Sequence, residues 1–206
     1  MAYILGFFAA DGYITHNKRG AYFWCIQITD KDILEKIKKI IQAEHKISSR
    51  IPKRKTEKTL YRLQIGSKEM CHDLYKLGFK ERKTKNLALP NVPKKYLPDF
   101  SRGYFDGDGN VWVGFRSTKR VRPTPVINTV FTSCSKEFLE ELESGFLNAG
   151  IPQGALRKGT GNYYRLVYSI NGSLKLYDFM YNGCIEDSLF LSRKKRIFEK
   201  FKSMRL

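Results

Sequence analysis

The sequence predicts an α+β protein in which one αββαββα unit is used twice, and three observations carry that reading. The same order of helix-like and strand-like stretches runs through residues 1–78 and again through 98–185. YILGFFAADG at residues 3–12 and FSRGYFDGDG at 100–109 open the two copies, and both close on Asp-Gly. The triplet Tyr-Arg-Leu stands at 61–63 and again at 164–166, which argues for duplication more specifically than element order does. The 206 residues and 24.0 kDa suffice for two small units of about 100 residues each.

In the first copy, residues 3–12 read as a helix that Gly12 stops. Residues 13–15 and 22–29, rich in β-branched and aromatic side chains, form a hairpin across the polar turn 16–20. Asp30 or Asp32 caps a helix whose apolar positions Ile33, Leu34, Ile37, Ile40 and Ile41 recur at helical spacing. Residues 46–51 pair with 60–65 across the basic loop 52–58, and a helix from Lys68 ends at Gly78. Residues 79–97, with Pro90, Pro93 and several lysines and with Pro98 just beyond, read as a linker. The second copy repeats the pattern with a hairpin of 110–116 and 124–133 and a helix through Phe138, Leu142 and Phe146 that stops at Gly150. A hairpin of 156–158 and 163–170 follows, then a helix that stops at Gly183. Residues 186–206 have no evident counterpart and read as a basic amphipathic helix.

Charge narrows the partner. Thirty-eight Lys and Arg against 20 Asp and Glu give a net charge of +18, the electrostatic footprint of a polyanion. No run of 18 apolar residues and no basic signal-peptide start is present, so the reading is an intracellular chain, in cytoplasm or organelle, that neither spans a membrane nor is exported. Nucleic acid is the favoured partner over a membrane surface or a small-molecule substrate. Cys25, Cys71, Cys134 and Cys184 are scattered, with no histidine at ligand spacing, and read as free thiols; His16, His45 and His72 read as surface or structural groups.

Asp11 and Asp108 carry the chemistry. Each ends a helix, where the dipole prefers cations, and small residues one turn apart (Gly6 with Ala10, Gly103 with Gly107) give each helix a flat face for close packing. If those faces meet, the two carboxylates meet as well, and they stay ionised only with a compensating cation, most simply a divalent metal. Asp106-Gly-Asp-Gly-Asn110 is not a calcium-binding EF-hand loop, because the turn glycine and the terminal glutamate are replaced by Val111 and Ser117.

ILGFFAADG at residues 4–12 and SRGYFDGDG at 101–109 resemble the paired nine-residue signatures of the LAGLIDADG homing endonucleases, in the single-chain form with two copies. The resemblance implies that the signature helices pack at a pseudo-twofold axis and that the two antiparallel sheets form one concave saddle on double-stranded DNA. It implies a monomeric, site-specific endonuclease that uses Mg²⁺, with Mn²⁺ or Ca²⁺ able to substitute in binding, and that makes double-strand breaks with short 3′ overhangs. Asp11 and Asp108 would be its metal ligands and catalytic acids, one per strand. Two carboxylates plus phosphate oxygens and water suit Mg²⁺. Lys68, which opens the helix after the fourth strand, stands where the family often carries a catalytic lysine; an ordinary surface lysine is the alternative. Asp106 falls at the family's structural acid, which hydrogen-bonds the start of the partner helix, although the first copy has Ala9 there. Asp30 and Ser135 fall where the family places polar groups near water, but both read equally well as helix caps. Gln27 and Thr132 are weaker candidates of the same kind. A non-cleaving RNA maturase or a DNA-binding regulator of the same fold is the competing reading.

Arg62, Gln64, Arg116 and Arg165 are candidates to face DNA. Arg62 and Gln64 alternate with large apolar neighbours and Arg165 is in the same phase, and Arg to guanine and Gln to adenine are natural major-groove pairings. Lys53, Arg54, Lys119, Arg120 and Lys158, in basic loops and turns, are candidates for phosphate contact, which positions without reading sequence.

Overall fold

Ala2–Asp11, almost free of charge, winds into helix α1 and buries Tyr3, Ile4, Gly6, Phe7, Phe8 and Ala9. The computed structural model describes residues 1–52, 54, 56–80, 87–116, 123–185 and 187–205. After α1 come β1 (Gly12–His16), β2 (Tyr22–Ile28), α2 (Lys31–Ile40), β3 (Ser48–Arg50), β4 (Leu60–Gly66) and α3 (Lys68–Lys76). A single 3₁₀ turn at Lys94–Tyr96 leads into α4 (Leu97–Asp108), with a proline in its first turn. The second copy continues through β5 (Gly109–Arg116), β6 (Thr124–Ser133), α5 (Lys136–Asn148), β7 (Ala155–Lys158), β8 (Tyr164–Tyr168) and α6 (Ile170–Tyr181). The basic helix α7 (Ser192–Ser203) follows.

Each copy makes one antiparallel four-stranded sheet, in the orders β1-β2-β4-β3 and β5-β6-β8-β7. Registers match between them: Gly12 lies opposite Ile26 and Ile26 opposite Leu63, just as Gly109 lies opposite Phe131 and Phe131 opposite Leu166. The repeated Tyr-Arg-Leu triplets therefore occupy the same place in both sheets. Helix ends follow local chemistry. Ser67 accepts from the Met70 amide and Ser135 from the Phe138 amide as N-caps. Gly78, Gly150 and Gly183 take left-handed dihedrals, with φ of 89°, 78° and 81°, as helix-stop glycines.

The signature helices α1 and α4 pack backbone to backbone. A methyl group on Gly6 would collide with the Phe100 carbonyl oxygen, and one on Gly103 with the Tyr3 carbonyl oxygen. The two contacts are reciprocal, as a twofold relation between the helices requires. Aromatic side chains fill the space behind them: Phe8 stacks on Trp24 at 5.6 Å, and Phe105, Phe131 and Phe146 follow one another at 5.5 and 5.3 Å.

The segments after α3 and α6 are more alike than the sequence suggests. Leu87 and Leu89 answer to Leu189 and Leu191, and Leu87 and Leu189 are both buried. Each segment then crosses to the other unit. The Leu89 amide donates to Glu141 of α5 at 2.8 Å, and Arg193 forms a two-pronged ion pair with Asp30, just ahead of α2. Leu89 and Leu97 thus lie against the second unit, while residues 93–96 between them are exposed.

Candidate functional site

Asp11 and Asp108 are the last residues of α1 and α4, and the strand that follows each begins at once with Gly12 or Gly109. These glycines are extended, with φ near −86° and −88°, so they are not the left-handed stops expected from the sequence. They are needed for space: a Cβ at Gly12 would lie 2.5 Å from Cγ of Phe8, and one at Gly109 2.8 Å from Cα of Phe105. The chain consequently turns from helix into strand within one residue, and both acids are left at the same end of the helix pair. A Cβ on Gly107 would stand 3.0 Å from Asp11 Oδ2, so the missing side chain makes room for the Asp11 carboxylate beside Asp108. Asp11 is half-buried and Asp108 exposed. Tyr104, whose hydroxyl donates to the Thr132 carbonyl at 2.8 Å, lies close enough that burial first, then Asp108 and to a lesser degree Asp11, push its pKa up. Asp108 also borders a cavity of about 270 Å³ lined by Ala9, Ala10, Leu87, Thr132 and Ser133.

Asp106 is fully buried beneath this end. Its Oδ2 accepts from the Tyr3 hydroxyl at 2.7 Å, at the start of the partner helix, and from the Leu191 amide at 2.8 Å. Its other oxygen has no hydrogen-bond partner among the described residues. Burial raises its pKa to about 6 against the pull of those donors and of Lys194 and Arg102. Arg102 is spent on the Leu189 and Met180 carbonyls and on Asp99.

Lys194 of α7 is the functional residue that the sequence reading missed. Its ammonium reaches the open carbonyls at the end of α4, those of Phe105 at 2.6 Å, Asp106 at 2.8 Å and Gly109 at 2.6 Å. It supplies a cation where the helix dipole is negative and where Asp106 and Asp108 stand. Burial lowers its pKa to about 8. A signal was present, because Lys194 lies in helical phase with the buried Phe198 and Phe201.

Lys68 stands apart from the two acids. It opens α3 and is exposed, but Gly66 pairs with Phe23 and Ser67 bonds to Tyr22, whereas Gly12 pairs with Ile26. At about 3.3 Å per strand residue, Lys68 sits more than 10 Å along β2 from the acids. The antiparallel register carries the end of β4 away from the helix pair. Asp30 makes no cap bond and pairs with Arg193 instead, while Ser135 does cap α5. Gln27 lies opposite Arg62 and Thr132 opposite Arg165, so the two polar candidates are equivalent by register.

The DNA-reading candidates share one side of the sheets. Leu63 and Ile65 face the core, leaving Arg62 and Gln64 on the outer face. Arg116, Lys158 and Arg165 all line a groove of about 760 Å³ over the second sheet. Arg157, opposite Arg165 by register, joins them there. Arg54 is exposed in the loop between β3 and β4. Lys53, Lys119 and Arg120 lie outside the described residues.

The profile of the LAGLIDADG-like domain matches residues 1–77 and again 99–180. The chain is 30% identical over 196 residues, 86% of its length, to a probable translation initiation factor IF-2 of Thermococcus kodakarensis. It is 29% identical over 113 residues, 54% of its length, to an uncharacterized protein of Methanocaldococcus jannaschii. It spans only 15% and 39% of those two relatives. Its fold is shared with the meganuclease I-AabMI bound to uncleaved DNA, at a TM-score of 0.59 and 17% identity over 98% of this chain and 88% of that one. I-SmaMI bound to uncleaveable DNA gives 0.63 and 13% over 98% and 89%, and I-DmoI with DNA and Mn gives 0.61 and 15% over 89% and 97%. Two matched copies of the domain within one chain, folded as those meganucleases fold, make this protein a two-motif, single-chain member of the LAGLIDADG family.

Proposed function

We propose that the chain is a site-specific endonuclease that cuts both strands of duplex DNA with the help of Mg²⁺. The observation that carries the proposal is the meeting of Asp11 and Asp108 at one end of the α1–α4 pair, between two sheets with basic outer faces. Asp11 and Asp108 would hold the metal. The donor set fits a hard cation: the room left by Gly107 admits the Asp11 carboxylate beside Asp108. Two carboxylates leave room in the shell for phosphate and water oxygens, as Mg²⁺ prefers. When bound, such a cation polarises a phosphate and lowers the pKa of water. The chain's own part is to fix the acids on rigid helix ends, with Lys194 neutralising the end of α4. Arg62, Gln64, Arg116 and Arg165 would orient the duplex by base edges and phosphates. Arg54 and Lys158 would add phosphate contacts.

The solved relatives held DNA, one of them with Mn, which supports the same partner and a divalent cation here. Similarity confined to 15% of a translation factor's length supports a cassette carried inside a host reading frame, which the sequence flanking a genomic copy would reveal.

The test is digestion of a randomised duplex library with and without Mg²⁺ by the wild type and by Asp108→Asn. The wild type should cut a defined subset only with metal, and the variant should lose more than about a hundredfold in rate while still binding. Binding without metal-dependent cutting would overturn the enzyme reading. Tighter binding to structured intron RNA than to any duplex would favour a splicing cofactor.

A further inference from the structure

One arginine stands at the same register on the outer face of both sheets, Arg62 opposite Gln27 and Arg165 opposite Thr132. Around it the two faces diverge. Two residues along β4 the first sheet has Gln64, whereas the matching place on β8 holds Val167. Thr15 lies opposite Phe23 on the first sheet, and its equivalent opposite Asn128 is Trp112. Trp112 is 45% exposed, and its indole lies along its own strand over Gly114, where a Cβ would come within 3.1 Å of Cε3 and 3.3 Å of Cη2. Val130 is buried yet lies outside the main core, on the outer side of β6. Trp112, Val130 and Val167 together line the groove that also holds Arg116, Arg157, Lys158 and Arg165.

Among the described residues, four cations and no carboxylate line that groove, which suits a polyanion and not an apolar peptide. Trp112 and Val167, apolar groups set among arginines with Asn128 opposite Trp112, have a specific complement in a DNA major groove. Thymine alone presents a methyl group there, while cytosine presents an amine that would lose its hydrogen bond against indole and valine. We infer that Trp112 and Val167 read thymine methyl groups in the half-site under the second sheet, with Val130 packed beneath them and Arg165 and Arg157 reading guanine beside them. The first sheet has Thr15 and Gln64 at those two positions and reads there by hydrogen bonds, while at a third position it carries Phe23 where the second sheet has Asn128. The inference rests on the DNA reading proposed above and makes the two half-sites chemically unlike.

The experiment starts from duplexes selected for binding to the full chain out of a randomised library, with Arg62→Ala and Arg165→Ala used to assign each half-site to its sheet. Thymines in one half-site or the other are then replaced by deoxyuridine, which removes only the methyl. Replacement of the thymines that face Trp112 and Val167 under the second sheet should weaken binding about fourfold per methyl contacted. Trp112→Ala should bind the parent duplex more weakly and become insensitive to the replacement, whereas Trp112→Phe should stay sensitive. A selected second half-site without thymine, or a penalty that survives in Trp112→Ala, would overturn the inference and leave DNA binding intact. Failure to bind any duplex would overturn the DNA reading itself.

Discussion

Lys194 shows how a single side chain can decide the state of a site it does not enter. Its ammonium lies among the carbonyls of Phe105, Asp106 and Gly109. Lys194→Met keeps the stem's packing and removes the donor, leaving buried acceptors unpaired at about 1–3 kcal/mol each. Thermal melts should show a large loss, several degrees per kcal/mol for a chain of this size. Its dependence on pH has a definite sign. The folded-state pKa is lowered from 10.5 to about 8 by burial, so between those values the unfolded chain holds a proton that the folded chain has released. Stability from this group therefore rises from about pH 8 upward, and the deficit of Lys194→Met should widen there. A deficit that shrinks over the same range would mean that the charge, not the donor geometry, is what the carbonyls need. The glycines teach a similar lesson about mechanism. Gly78, Gly150 and Gly183 serve by backbone conformation, and Gly12 and Gly109 by the ring space beneath them, although all five look alike as helix stops in the sequence.

Helices α1 and α4 approach until backbone meets backbone, and that closeness brings the acids together. Gly6→Ala and Gly103→Ala would each place a methyl group on a carbonyl oxygen of the opposite helix, where no flexible side chain can give way. Each should cost at least about 3 kcal/mol, at the upper end of overpacking, and the two should cost alike because the contacts are reciprocal. Urea midpoints of the two variants check this; a mild effect in either would mean that the helices can slide apart. These elements were largely legible beforehand, because hairpin composition, helical phase and the repeated Tyr-Arg-Leu are local signals. The pairing of α1 with α4 was legible through Gly6, Ala10, Gly103 and Gly107. Register was not, since it depends on how β4 meets β2, and Lys68 was placed by chain order when pairing carries it to the far end of the sheet. The role of α7 was obscured for a related reason. Its Arg193 and Lys194 act on Asp30 and α4, contacts that join opposite ends of the chain.

Across the whole molecule, duplication builds a near-symmetric scaffold on which the two halves of the site are unlike. Asp106 bonds Tyr3 and the Leu191 amide, while the equivalent position in α1 is the buried Ala9. Lys194 caps the helix of Asp108, and Asp108 is exposed where Asp11 is half-buried. If each acid serves one strand, the strands should not be cut at equal rates. Lowering Mg²⁺ should magnify the difference, because a half-site with weaker affinity empties first as the metal is diluted. The expected outcome is a nicked duplex that accumulates before the linear product on a supercoiled plasmid carrying the target, with the nick on one defined strand. Asp11→Asn and Asp108→Asn should each stop the double-strand break, and any residual nicking should fall on opposite strands in the two variants. Equal cutting of both strands at every metal concentration would mean that the asymmetry of Asp106, Ala9 and Lys194 is structural only and does not reach the chemistry.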